Sequence, residues 1–156
     1  MPSRRDLIRM SADEIMEYLE NQRRVILITN GLDGMPHAVP MEYGLDAGRA
    51  IIMTSFRKSQ KVRNLERDSR ATLLIESGAR YQELKGVMAY CNAEIVDDPA
   101  VVRAAMRLVR TSDVLAASIS EEMRPQLHAS VTKRVVLRFK PFRFVTWDHG
   151  KLPNVY

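Results

Sequence analysis

Short β-branched runs joined by local turns fill the first third of the sequence, and they restrict the fold more than any other feature. Residues 25–29, Val-Ile-Leu-Ile-Thr, have the composition of a strand and lead into the turn-rich stretch Asn-Gly-Leu-Asp-Gly at 30–34. Apolar residues then alternate over 36–43, and a third β-branched run covers 50–54 after a turn at 44–48. Strands joined by such short connections pair with their neighbours in the chain. The segment is therefore predicted to form an antiparallel meander.

Helix signals lie between and around the strands. The first helix begins with a capping-box sequence, the second with a serine cap and the third with an Asp-Pro pair. These three helices are predicted at 11–22, 59–68 and 98–110. Helical composition continues over 113–130, where Pro125 either breaks a helix or begins a new one.

Further strand patterns complete the sheet, at 71–76, 86–96 and 134–147. Pro36 and Pro40 in the second strand remove backbone donors, so we expect one of its edges to be free or bulged, and Pro141 in the last strand predicts a bend or bulge there. Six strands with helices between them predict a mainly β (α+β) protein, a small antiparallel barrel with helices packed outside. No repeat or linker interrupts the 156 residues, so residues 1–156 are predicted to form a single domain.

Composition excludes several classes of protein. The lone cysteine, Cys91, excludes an internal disulfide framework, and its strand position favours a small buried residue over a nucleophile. The three histidines are too scattered for a metal-ligand pattern, so no metal site is predicted. No apolar run approaches the ~18 residues of a membrane span, and no apolar segment follows the basic N-terminus. We therefore expect a cytoplasmic protein without a membrane span.

The net charge of +5 is concentrated in one segment. Residues 57–70 hold six basic and two acidic side chains, a local charge of +4. A predicted strand-to-helix junction at the start of this segment collects hydroxyl and lysine side chains: Thr54, Ser55, Lys58, Ser59 and Lys61. Such groups at a helix N-terminus suit a phosphate. A solvated helix face is the alternative interpretation of the same charges.

Aromatic and polar side chains also collect near the C-terminus, at Trp147, Asp148, His149 and Lys151. This cluster fits either one wall of a pocket or a packed tryptophan beside a polar turn. A nucleic-acid-binding module is disfavoured because aromatic residues make up only 6% of the chain and do not interleave with the basic ones.

The order and spacing of these motifs resemble the FMN-binding split-barrel superfamily, in its pyridoxamine 5′-phosphate oxidase-like branch. Within that branch the sequence is most similar to the flavin/deazaflavin oxidoreductases described as F420-dependent. The likeness covers about residues 11–152 and lies in several short motifs: Asp33-Gly34-Met35-Pro36-His37, Lys58-Ser59-Gln60-Lys61, Asn64-Leu65, Arg80-Tyr81 and Trp147-Asp148-His149-Gly150-Lys151-Leu152.

The resemblance implies a six-stranded antiparallel split β-barrel with peripheral helices. It implies a homodimer that holds F420 or FMN in a groove between the two barrels, and hydride transfer to or from a small organic substrate. The cofactor-binding residues that it implies are Pro40, Met41, Met53, Thr54, Ser55, Lys58, Ser59, Gln60, Lys61, Asn64, Arg80, Tyr81 and Trp147. Tyr81 or Trp147 would come from the partner subunit. The catalytic residues stay open, with Tyr81 and His149 as candidate proton donors.

Two departures from the family pattern bear on the substrate. Residues 37–43 lack the Arg and Lys that true pyridoxamine phosphate oxidases carry there, and the C-terminal Arg-Leu-His substrate motif is missing. Oxidation of pyridoxamine phosphate is therefore not expected. Gly150 also stands where relatives commonly carry a basic residue, which would open that corner of the pocket. A non-catalytic carrier of flavin, deazaflavin or haem on the same fold remains an alternative, and a basic nucleic-acid-binding module is a weaker one.

Overall fold

The computed structural model describes residues 2–109 and 124–153. Its strands are β1 (Arg24–Asn30), β2 (Pro36–Glu42), β3 (Gly44–Leu45), β4 (Ile51–Phe56), β5 (Arg70–Ser77), β6 (Lys85–Val96) and β7 (Arg134–Asp148). Its helices are α1 (Arg4–Leu7), α2 (Ala12–Asn21), α3 (Gln60–Arg67), α4 (Pro99–Val109) and α5 (Arg124–Thr132), with 3-10 turns at Tyr81–Glu83 and His149–Lys151. The predicted helical stretch at 113–123 lies outside the described residues.

One antiparallel sheet contains all the described strands, in the order β2-β1-β5-β6-β7-β4-β3. This mainly β arrangement confirms the predicted split barrel, with one strand more than expected. The predicted turn at 44–48 begins with β3, where Gly44 pairs with Ile52 and Leu45 with Ile51. Two residues carry too little local preference to signal a strand, so only their pairing with β4 reveals it.

The barrel interior is filled by alternate side chains of the strands. Residues two apart on a strand share one face, and on each strand one face turns toward the core. Leu27, Leu73, Val87 and Phe139 are fully buried examples from four different strands. α2 closes the core with Ile15, Tyr18 and Leu19. A smaller apolar cluster packs α4 against the back of β4 and β7, and its members are Ile52, Val102, Ala105, Met106, Val131 and Val136.

Local signals predicted the helix starts and the strand irregularity. The Ser11 hydroxyl accepts the amide of Glu14, and the Glu14 carboxylate accepts the amide of Ser11 at 2.6 Å, as in a capping box. The Asp98 carboxylate likewise caps the first turn of α4 through the amide of Ala100, at 2.8 Å. In β7 the register shifts beside Pro141, so the predicted bulge is present. None of the described helices is long and apolar enough to cross a membrane.

Candidate cofactor site

Hydroxyl groups converge where β4 ends and α3 begins. Ser55 and Ser59 lie with their hydroxyl oxygens 2.9 Å apart, and Ser55 is 3% exposed. Ser59 stands at the N-cap of α3, but its side chain does not bond a helix amide. The first amides of α3 therefore keep their capacity to donate to an anion. Thr54, which directly precedes Ser55 on β4, is half-buried.

Lysines complete this junction cluster, which we define as Thr54, Ser55, Lys58, Ser59, Gln60 and Lys61. Lys58 is exposed and Lys61 is half-buried. Burial lowers the pKa of Lys61, and the nearby positive charge of Arg134 lowers it further. Within the described part of the chain, Lys61 forms no ion pair with a carboxylate. A partly desolvated cation without a counter-ion fits a site that receives a negative charge from a ligand.

Two of the predicted cofactor-binding side chains are engaged inside the barrel. Asn64 is fully buried, where its Nδ2 donates to Thr29 Oγ1 at 3.0 Å and its Oδ1 accepts from Gln60 Nε2 at 2.9 Å. The Met53 side chain is fully buried in the core. Asn64 therefore joins α3 to β1, and only the backbone of Met53 could face a ligand in a single chain.

A groove adjoins the junction cluster between α3 and the β1–β2 hairpin. Its volume is about 580 Å³, and its lining residues are Gly31, Leu32, Asp33, Met35, Pro36, His37, Gln60 and Asn64. The Nδ1 atom of His37 is buried without a hydrogen-bond partner in the described structure. Sequence reasoning missed His37 as a site residue, because only the packing of the hairpin against α3 brings it beside Gln60.

Tyr81 and His149 form a second cluster at the opposite end of the barrel. Their ring centroids are 4.6 Å apart, and His149 Nδ1 lies 2.8 Å from the backbone oxygen of Tyr81. Arg4 donates to the Tyr81 hydroxyl at 2.9 Å. Arg80, the residue before this 3-10 turn, is exposed. Trp147 stacks so closely on Gly86 that a Cβ atom at this position would collide with the indole ring.

The two clusters do not meet within one chain. Thr54 pairs with Val136 on β7, and Trp147 lies eleven residues further along the same strand. At about 3.3 Å per residue, this separation is roughly 35 Å along the strand. The residues that the family resemblance unites in one site are therefore divided between two ends of the barrel.

The predicted ring-contacting residues of β2 point in opposite directions. Met41 packs against the barrel core, whereas Pro40 is exposed on the outer face. Pro40 begins a row of outward side chains that continues through Ile26 and Leu74 to Met88. Ile26 is 36% exposed, and the row forms an apolar face across four strands. Cys91 lies inside the barrel, where burial raises the pKa of its thiol to about 12 and so disfavours the thiolate that a nucleophile needs.

The fold and the sequence place the chain in a known class. The family described as pyridoxamine 5′-phosphate oxidase matches residues 11–148. The chain belongs to this family of split-barrel proteins. No curated protein matches it.

Three solved structures illustrate the likeness. A conserved hypothetical protein from Mycobacterium tuberculosis superposes with a TM-score of 0.82 at 34% identity, covering 99% of this chain and 96% of that one. An F420 reductase superposes with a TM-score of 0.62 at 20% identity, covering 82% and 93%. An FAD-binding protein from Mesorhizobium loti gives 0.62 at 17% identity, covering 90% and 96%. The last two show a shared fold.

Proposed function

We propose that the protein binds F420 or FMN through its phosphate at the junction cluster and serves as an oxidoreductase. The observation that carries this proposal is Lys61, a half-buried ammonium without a carboxylate partner in the described chain, two residues after Ser59 in the first turn of α3. The hydroxyl of Ser59 is itself paired with that of Ser55. An ionised phosphate accepts hydrogen bonds from both kinds of group, and such charge-assisted bonds are stronger than neutral ones. The fold relationship to an F420 reductase and an FAD-binding protein supports the same cofactor class.

The chain supplies positions and charges rather than a covalent nucleophile. Lys58 and Lys61 would hold the phosphate, and the hydroxyls of Ser55 and Ser59 would orient it. The adjoining groove is large enough to receive a planar group, and Gln60 and His37 Nδ1 offer polar contacts on its walls. The bound cofactor supplies the hydride chemistry, and the protein fixes its place relative to the substrate.

Surface charge favours F420 over FMN as the first candidate. F420 carries an anionic oligoglutamate tail beyond its phosphate, and the exposed Arg63 on α3 is available to meet it. Arg80 lies beside the second cluster and could meet the tail only from a second copy of the chain. Arg57, the first residue of the basic segment 57–70, is paired instead with Asp97. FMN remains the close alternative, since it shares the ring system and the ribityl phosphate.

Titration of the purified protein with F420 and with FMN tests the proposal directly. We expect one of the two cofactors to bind with a dissociation constant in the micromolar range or below, followed by its fluorescence. Binding of FMN without any response to F420 would exclude our first choice. Binding of neither would contradict the proposed function.

A non-catalytic carrier is the second candidate, and the placement of the acid–base residues favours it. Tyr81 and His149 lie in the second cluster, away from the junction cluster of the same chain. A carrier would bind the reduced cofactor tightly, and the cofactor would stay reduced in the presence of a panel of acceptors. An oxidoreductase would oxidise the cofactor when its acceptor is present.

The binding site requires a second copy of the chain if Tyr81 and Trp147 contact the cofactor. The apolar row of Pro40, Ile26, Leu74 and Met88 provides a surface for that copy. We therefore propose a homodimer formed through this outer face, with each groove completed by the partner.

As the pH rises, the affinity for the cofactor is expected to begin to fall at a lower pH than it would if Lys61 had the usual pKa of a lysine. Because burial lowers the pKa of Lys61 from its usual 10.5, its ammonium loses its proton earlier as the pH rises. Dissociation constants measured between about pH 7 and pH 10 should therefore increase with pH. Lys61→Arg keeps its charge over this range and should flatten the profile. An identical slope in both proteins would show that Lys61 does not hold the phosphate.

A further inference from the structure

A second groove lies where the N-terminal segment crosses the last part of β7. Its volume is about 420 Å³, and it shares none of its lining with the junction cluster. Three arginines border it: Arg5, Arg9 and Arg143. Its remaining lining is mainly apolar and consists of Met10, Ile15, Phe144, Val145 and Thr146.

The arginines of this groove are only partly neutralised. Among the described residues, Asp6 is the carboxylate that pairs with a lining arginine: it contacts Arg9 at 3.0 Å and attracts Arg5 more weakly. Arg143 lies over the ring of Tyr90, with its guanidinium carbon 5.3 Å from the ring centroid. This contact holds the guanidinium in place and leaves its N–H groups able to donate. A cleft lined by one sign of charge concentrates ligands of the opposite sign.

The edge of β7 adds backbone donors to the same groove. β4 pairs with β7 only as far as Phe139, so residues 142–147 have β6 on one side and no described strand on the other. At the end of β7, the amide of Asp148 already donates to the backbone oxygen of Ile8 in the N-terminal segment, at 2.8 Å. On a strand edge, alternate N–H groups point away from the paired neighbour. Cationic side chains, free amides and an apolar floor therefore meet in one place.

We propose that this groove binds an amphipathic anion, a small molecule with an apolar body and a carboxylate or phosphate monoester head. Guanidinium groups bind both heads through paired N–H donors. The ring of Phe144, which is 39% exposed, offers an apolar contact to the body, and the groove volume falls within the ~300–1,000 Å³ of small-molecule sites. The lining is separate from the junction cluster, but Val145 continues the apolar row beyond Met88, so the proposal rests on the groove staying open in the proposed dimer.

A displacement assay with the full chain tests the groove. The fluorescent probe 1-anilinonaphthalene-8-sulfonate, itself an amphipathic anion, is bound first and then displaced by octanoate, octyl phosphate or neutral octanol. We expect either anion to displace it at roughly tenfold lower concentration than octanol. The stronger of the two anions identifies the preferred head group.

The arginine requirement is tested with the double variant Arg5→Gln/Arg143→Gln. It should raise the displacing concentration of the anions by roughly tenfold and that of octanol by less than twofold. Arg103→Gln, an exposed arginine on α4, is the matched control and should change neither. Shifts of the backbone amide resonances of Met10 and Thr146 would locate the ligand. Equal displacement by octanol, an unaffected double variant or shifts confined elsewhere would each overturn the proposal.

Discussion

Replacing Lys58 and Lys61 together with alanine is expected to weaken cofactor binding by roughly 100-fold or more. A hydrogen bond to a charged group contributes about 1.5–3 kcal/mol, and each lysine donates at least one such bond to the proposed phosphate. Each 1.4 kcal/mol corresponds to a factor of ten in affinity. The fold should persist, because Lys58 is exposed and Lys61 makes no described ion pair that its loss would break. Fluorescence titration with FMN and with F420 measures the change.

Riboflavin supplies the internal control for this double variant. It carries the same ring as FMN without the phosphate, so the wild-type protein and the variant should bind it with nearly equal affinity. Lys140→Ala removes a lysine on β7 that pairs with Glu94 at 3.7 Å, and it should leave FMN binding unchanged. Equal weakening of FMN and riboflavin would mean that the lysines act on the ring or on the fold, and unchanged FMN binding would place the phosphate elsewhere.

Local chemistry explains why the junction cluster was predictable from the sequence. Ser55, Ser59 and Lys61 lie within seven residues, and a strand followed by a helix brings them together without any distant contact. The capping box at Ser11 was recognisable for the same reason, since its two partners are three residues apart. Interactions between residues so close in the sequence form wherever the local helix or strand forms, so they can be predicted without knowledge of the tertiary fold.

Tertiary packing decided the features that the sequence left hidden. His37 joins Gln60 at one groove only because the β1–β2 hairpin folds against α3. β3 exists because Gly44 and Leu45 pair with β4, although their own composition is typical of a turn. The side of the sheet on which Met53 is buried also follows from register, because one residue of shift would have moved its side chain from the barrel core to the face that packs against α4.

Separation of the two clusters is the structural fact that most constrains the proposed mechanism. The family resemblance implies that Lys61 and Trp147 belong to one site, but the course of β7 places them at opposite ends of the same barrel. A cofactor that contacts both must therefore contact two chains. The assembly of the protein and its binding of cofactor become one question.

Leu74→Asp is expected to convert the proposed dimer to a monomer and to weaken cofactor binding with it. Leu74 lies between Ile26 and Met88 in the middle of the apolar face, where an interface would bury the new carboxylate. An unpaired buried charge costs several kcal/mol, enough to dissociate an ordinary dimer at micromolar concentration. Light scattering should give twice the chain mass of 17.8 kDa for the wild type and the mass of one chain for the variant. Val101→Asp, on an exposed position of α4, is the control and should remain dimeric.

The combination of mass and affinity separates the two parts of this proposal. A monomeric Leu74→Asp protein that loses affinity supports a groove shared by two subunits, since its own junction cluster is unaltered. A monomeric variant that binds FMN as tightly as the wild type would mean that one chain holds the cofactor alone and that Trp147 and Tyr81 have other roles. A monomeric wild type would exclude the shared groove outright, because one chain holds the two clusters roughly 35 Å apart along β7 and no second subunit would bring them together.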